Sequence, residues 1–121
     1  MLPADHRLVD SASFRRASKL GRKGSSRLLT THLLVDDAQA HAPRVGFVVS
    51  RAVGTAVRRN RVKRRLRHAV RARLDALPRG SVLVVRAHAV AGAASYAELV
   101  VDLDRCLRRS LQPRPTAQAS R

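Results

Sequence analysis

The stretch Arg51 to Arg73, RAVGTAVRRNRVKRRLRHAVRAR, leaves few structures open, because it carries ten Arg or Lys, no acid, and apolar residues spaced by three and four. Val62, Leu66, Ala69, Val70 and Leu77 fall on one face of an α-helix at that spacing. At about 100° per residue, Asn60, Arg61, Arg64, Arg67, His68 and Arg71 gather on the side opposite Leu66, while Lys63 and Arg65 flank the apolar stripe. Like charges one helical turn apart repel. A polyanion outside the chain is therefore expected to neutralise this face.

The rest of the chain sharpens that expectation. Its 121 residues suit one domain, 45% apolar content supports a packed core, and 25 Lys and Arg against 8 Asp and Glu give a net charge of +17. Such a balance points first to nucleic acid. An anionic membrane surface ranks lower, since the apolar face of the long helix is committed to the core. Arg accounts for 22 of the basic residues, with only Lys19, Lys23 and Lys63 as lysines; the planar guanidinium suits phosphate, and the same bias follows from a G+C-rich genome. Cys106 is the single cysteine, which leaves no disulfide framework and no cysteine-rich metal site and reads as a small core residue. No run reaches transmembrane length and MLPADHRLVD lacks a signal-peptide core, so a cytoplasmic protein without a membrane partner is expected.

Taken in order, Met1 to Val9 is expected to lie extended against the body, and a short helix opens at Asp10 or Ser11 and runs through Phe14, Ala17 and Ser18 to a stop at Gly21. Phe14 is either that helix's core anchor or a platform for a base. Arg22 to Ser26 reads as a flexible basic connection, Arg27 to Val35 as a strand, Asp36 to Pro43 as a polar turn, and Arg44 to Ser50 as a second strand with Val45, Phe47 and Val49 on one face. These two strands are expected to form an antiparallel hairpin. Thr55 caps the long basic helix, which is expected to end near Leu77 because Pro78 and Gly80 cannot continue it.

Ser81 to Arg86, SVLVVR, is an apolar run of the kind found in strands buried on both faces, and Ala87 to Ala94 reads as a small, pliant loop. Ser95 and Glu98 form a capping box for a last helix whose inner face is Leu99, Leu103, Cys106 and Leu107. Residues 1–111 thus make one domain and residues 112–121, polar and broken by proline, a disordered tail. The class is an α/β two-layer sandwich, helices laid on a small sheet. The strand-helix-strand passage from Val45 to Arg86 is a crossover unit, for which general sterics favour the right hand.

Signals of protein-based catalysis are poor. His6, His32, His41, His68 and His88 are scattered without metal-ligand spacing, no serine sits in a nucleophile elbow, and Val53-Gly54-Thr55 lacks the Gly-Lys of a P-loop. Zinc fingers, an aromatic RNA-recognition sheet motif and a helix-turn-helix pair are likewise missing.

The run RVGFVVSRAVGTAVRRNRVKRRLRHAV resembles the signature of the protein subunit of bacterial ribonuclease P: a strand ending in Ser, a Gly-containing turn, then a helix with an Arg-Asn-Arg core, here Arg59, Asn60 and Arg61. The resemblance extends from RLVDSASFRRASKLG to the last helix. It implies a four-stranded mixed sheet in the order α-β-β-(β)-α-β-α with a left-handed crossover around the basic helix, and that specific implication overrides the general rule. It also implies a subunit that assists a catalytic RNA in cutting the 5′ leader from precursor tRNA. Arg58, Arg59, Asn60, Arg61, Lys63, Arg64, Arg67, His68 and Arg71 would contact the RNA subunit. Phe14, Arg15, Ser18, Lys19, His32, Phe47 and Ser50 would line a cleft for the single-stranded leader. No catalytic side chain, bound cofactor or protein partner is implied, and magnesium would enter through the RNA. Ser18 and His32 stand where the family often has aromatic residues, which reduces stacking. The competing assignment is a non-enzymatic ribosome-associated or RNA chaperone module, with a DNA-binding protein third.

Overall fold

The computed structural model describes residues 6–8, 10–36 and 38–112. Three helices and four strands follow one another as α1 (Ser11–Leu20), β1 (Arg22–Ser25), β2 (Leu29–Val35), β3 (Arg44–Val48), α2 (Ala56–Arg71), β4 (Ser81–Ala87) and α3 (Tyr96–Leu111). Each helix begins where its cap satisfies free backbone N–H groups. The Asp10 carboxylate accepts from Ala12 and Ser13, Thr55 Oγ1 accepts from the Arg58 N–H, and Ser95 with Glu98 forms the reciprocal capping box.

The strands lie side by side as β1-β2-β4-β3, antiparallel except for the parallel pair β3 and β4. The expected hairpin of the second and third strands does not form, because β4 lies between them. Leu83, Val84 and Val85 are buried on both faces of the sheet, and a strand apolar on both sides gains most in the centre, with a neighbour along each edge. Arg22 to Ser25, expected as a flexible connection, is an edge strand held by its pairing to β2 and by α3. The buried Thr31 hydroxyl lies 2.6 Å from that of Ser110 on α3, and Arg109 donates to the Ser25 carbonyl on the outer edge of β1. On the opposite edge the Leu8 N–H donates to the Val45 carbonyl at 3.0 Å and Arg7 bridges Val45, so residues 6–8 do run along the body.

Two cores result. On one face α2 and α3 bury Leu29, Leu33, Val45, Val62, Leu66, Val70, Leu83, Val85, Leu99 and Leu103, with Phe47 packed against them. On the other, Ala17 of α1 packs with Leu8 and Val84, flanked by Phe14, Leu34, Val48 and Val82. Cys106 is buried, as expected, and its desolvated thiol is pushed up to about 11.

Helix α2 stops at Arg71, before the expected Leu77. Arg73 folds back to donate to the Ala69 carbonyl at 2.7 Å and forks onto Asp104 of α3. A 3-10 turn, Leu74–Ala76, then carries Leu77 into the core. Ala87 belongs to β4, and the loop expected to be pliant is a second such turn, Ala89–Ala93, with Ala91 and Ala94 buried. The expected tail falls at residues 113–121, outside the described residues, apart from Gln112, which caps α3.

The least expected member of the core is Asp102, 6% exposed, whose carboxylate accepts the Leu28 N–H at 2.6 Å and so ties α3 to the turn before β2. A buried N–H left without a partner is costly, so Asp102→Ala should destabilise by about 1.5–3 kcal/mol, with Asp102→Asn milder; urea unfolding measures both.

Three carboxylates sit below their ordinary range: Asp10 through its bond from the Ser13 hydroxyl, Glu98 through the Ser95 N–H, and Asp104 through Arg73. A lowered folded-state pKa gives stability that is present above the unfolded-state value and lost as pH falls through the folded one. The thermal midpoint should therefore drop on acidification below about pH 4, and a midpoint flat through that window would contradict these bonds.

Candidate nucleic-acid interface

Helix α2 turns its two sides to different surroundings. Val62, Leu66, Ala69 and Val70 are buried, at 1% exposure or less. Asn60, Arg61, Arg64, Arg67, His68 and Arg71 are exposed, and Lys63 and Arg65 lie between, as the helical spacing predicts. Among the described residues the ion pairs are Arg27 with Glu98, Arg73 with Asp104, and Arg105 with Asp102, so no residue of α2 is neutralised by an acid.

Neighbouring elements fix some of these side chains. The aliphatic stem of Arg58 crosses the bare backbone of Gly54 and Gly92; a Cβ at those positions would come within 2.6 and 2.9 Å of Arg58 Cδ. Gly54 also has φ of 144°, a conformation reserved for glycine. Arg65 donates to the Ala94 carbonyl at 3.0 Å, so the turn after β4 holds α2 at a second point. The His68 ring packs on Tyr96 of α3, centroids 5.7 Å apart. Arg59 differs from its neighbours in having a buried Nε with no hydrogen-bond partner among the described residues.

The expected cleft residues divide. Phe14 is half-buried with its ring over Gly46, where any Cβ would overlap it. It thus anchors α1 and still keeps part of its ring accessible. Ser18 lies one turn further along α1, half-buried, with Arg15 and Lys19 exposed on the same helix. His32 pairs across strands with Val84 and so shares the α1 side of the sheet. Burial, then the charges of Arg86 and Lys23, hold its pKa below the ordinary histidine value. Ser50 is exposed and opens the 3-10 turn Arg51–Val53 that leads into α2. Phe47 does not join this group. Strand alternation places it beside Val85 on the opposite face, packed against the α2 and α3 core. Lys23 and Arg86, beside His32, carry no local signal in the sequence, since only strand register brings them there.

A model of the family described as Ribonuclease P matches residues 2–111. The chain belongs to the ribonuclease P protein family. A family member named ribonuclease P protein component in a Nocardioides species is 57% identical over 110 residues, covering 90% of this chain and 94% of that one. Another, from Streptomyces bikiniensis, is 50% identical over 118 residues, with 92% and 96% covered. The RNase P protein of Staphylococcus aureus shares the fold with a TM-score of 0.74 at 24% identity over 85% of this chain and 93% of that one. The one from Thermotoga maritima does so with 0.73 at 22% identity, over 88% and 98%. The family's mixed sheet and three helices are thus reproduced here.

The two faces of α2 should separate in mutational data. Arg61→Ala and Arg64→Ala should shift folding stability by no more than about 0.5 kcal/mol and weaken binding to RNA. Leu66→Ala should cost about 2–5 kcal/mol of stability. Paired urea-unfolding and RNA-binding titrations check this, and a large loss of stability in the arginine variants would refute the division.

Proposed function

We propose that this chain is the RNA-binding protein subunit of ribonuclease P, acting in the cytoplasm with a catalytic RNA to remove the 5′ leader of precursor tRNA endonucleolytically. The observation that carries this reading is the unneutralised cationic face of α2, rigidly mounted and joined through Ser50 to a sheet face on which Phe14 and His32 stand together. Arg58, Arg59, Asn60, Arg61, Lys63, Arg64, Arg67, His68 and Arg71 bind the RNA subunit, with arginine forks on phosphates and the Asn60 amide able to meet a 2′-hydroxyl. Phe14, Arg15, Ser18, Lys19, His32 and Ser50 receive the single-stranded leader.

Phosphodiester hydrolysis of this kind uses divalent metal. The described residues offer no group of three or more His, Cys, Asp or Glu able to hold one. In this reading magnesium is held by RNA, and the chain's own residues bind, orient and screen charge. No described helix is long and apolar enough to cross a membrane.

Reconstitution tests the assignment: precursor tRNA at low magnesium should be matured at its 5′ end efficiently only when both a ribonuclease P RNA and this chain are present. RNA binding or remodelling without stimulated cleavage would favour the chaperone alternative. The stacking role of Phe14 has its own measurement, the precursor-to-mature affinity ratio of the holoenzyme. Stacking on an aromatic contributes about 1–3 kcal/mol per base, so Phe14→Ala should lower that ratio roughly 5- to 150-fold at most, and Ser18→Phe should raise it. A ratio untouched by Phe14→Ala would leave that residue a core anchor alone.

A further inference from the structure

Helices α2 and α3 lie on the face of the sheet opposite α1, and an aromatic surface is built where they meet. Tyr96, the chain's only tyrosine, is 37% exposed, whereas Phe14 and Phe47 each pack against a core. Its ring meets that of His68, itself exposed on α2, with centroids 5.7 Å apart and planes inclined by 54°. Rings so inclined do not cover each other. A face of the tyrosine therefore stays open to solvent.

The pair is held from both sides. Ser95 caps α3 just before Tyr96, Glu98 closes the capping box just after it, and Leu99, one turn along, is fully buried. Arg65, one turn before His68, donates to the Ala94 carbonyl at 3.0 Å, so α2 is tied to the chain immediately ahead of Tyr96. A stacking surface fixed in this way loses little freedom when a ligand arrives. Its surroundings are positive: Arg64 and Arg71 lie one turn to either side of His68, exposed, and neither is in an ion pair among the described residues. Glu98, the acid nearest to Tyr96 in sequence, is turned to the Ser95 N–H and to Arg27.

An open aromatic face edged by cations without acid partners suits a ligand that brings both a flat π-system and a negative charge. A nucleotide brings both. Its base has to be unpaired, because bases inside an A-form helix are stacked on one another in a groove that side chains cannot read, whereas a looped or bulged base can be splayed out onto an aromatic ring. The sheet lies between this pair and the face that carries Phe14 and His32, so the ligand is not the leader.

We propose that Tyr96 and His68 form a stacking site for one unpaired base of the RNA subunit, whose phosphate is taken by Arg64 or Arg71. The proposal rests on the RNA-subunit reading above, which gives α2 contacts to phosphate and ribose, and adds to them a base contact made jointly by α2 and α3. Backbone contacts repeat along an RNA strand and carry no sequence information. A single extruded base does not repeat, so it sets the register of α2 on its RNA.

The test measures binding of the full chain to a ribonuclease P RNA over a range of salt concentrations. Y96A should weaken binding roughly 5- to 150-fold, the share that one stacked base contributes. The slope of log affinity against log salt should stay unchanged in that variant, because stacking releases no counter-ions, whereas R64A should lower it by roughly 0.7–0.9. Y96F, which keeps the ring, should bind like the unsubstituted chain. Y96L keeps apolar bulk against His68 without a π face and should lose affinity as Y96A does; unchanged melting temperatures verify that the variants fold. Because the chain has one tyrosine, fluorotyrosine incorporated there gives a single fluorine resonance, which should move upfield in the complex as the ring current of the base reaches it. An unmoved resonance in the complex, or Y96A or Y96L binding as tightly as the unsubstituted chain, overturns the proposal and leaves Tyr96 a packing residue while the α2 reading stands. If the unsubstituted chain fails to bind the RNA at all, both fall together.

Discussion

The architecture depends on a contest on α2 between burial and charge. Val62, Leu66 and Val70 are buried almost completely, and each such burial contributes about 1.5–3 kcal/mol. The helix also carries seven like-charge pairs three or four residues apart, each opposing it by about 0.2–0.5 kcal/mol. Burial wins, and it does so by pinning the helix axis and azimuth against the sheet. The cations are thereby held at fixed positions that they would not choose for themselves. A site that binds an extended anion needs such fixed spacing, and here the stripe under the helix supplies it.

Local chemistry accounts for the parts of this fold that are legible in the sequence. Asp10, Thr55 and the Ser95 and Glu98 pair start helices where their side chains reach backbone N–H groups only a few residues away. The two faces of α2 and the inner face of α3 follow from helical spacing alone. What the sequence hides depends on distant partners. The run from Arg22 to Ser25 has no alternation to mark it, and it is a strand because β2 and α3 offer it partners. The sheet order escapes local reasoning because two adjacent strand-like runs suggest a hairpin, whereas β4, doubly buried at Leu83, Val84 and Val85, claims the place between them.

The candidate site divides along the same line. The exposed polar and basic residues of α2 lie where the spacing puts them. The cleft needs tertiary knowledge: Phe14 lies against Gly46, Phe47 is carried to the other face by the alternation of β3, and Lys23 and Arg86 meet His32 through register. The resemblance to a family supplies the group of residues, and the sheet decides which of them share a side.

The central position of β4 also bears on how the protein is made. Synthesis proceeds from the N-terminus, and by the time Val48 has emerged, β2 and β3 are both complete, yet neither can pair with the other in the final sheet. They must wait for Ser81–Ala87, with the whole of α2 emerging in between. During that interval the nascent chain offers unpaired strand edges, a hazard for aggregation, together with its most concentrated run of positive charge. The net repulsion among such nascent chains disfavours their association while the sheet is unfinished. The charge that equips the finished protein for RNA thus also guards its own assembly.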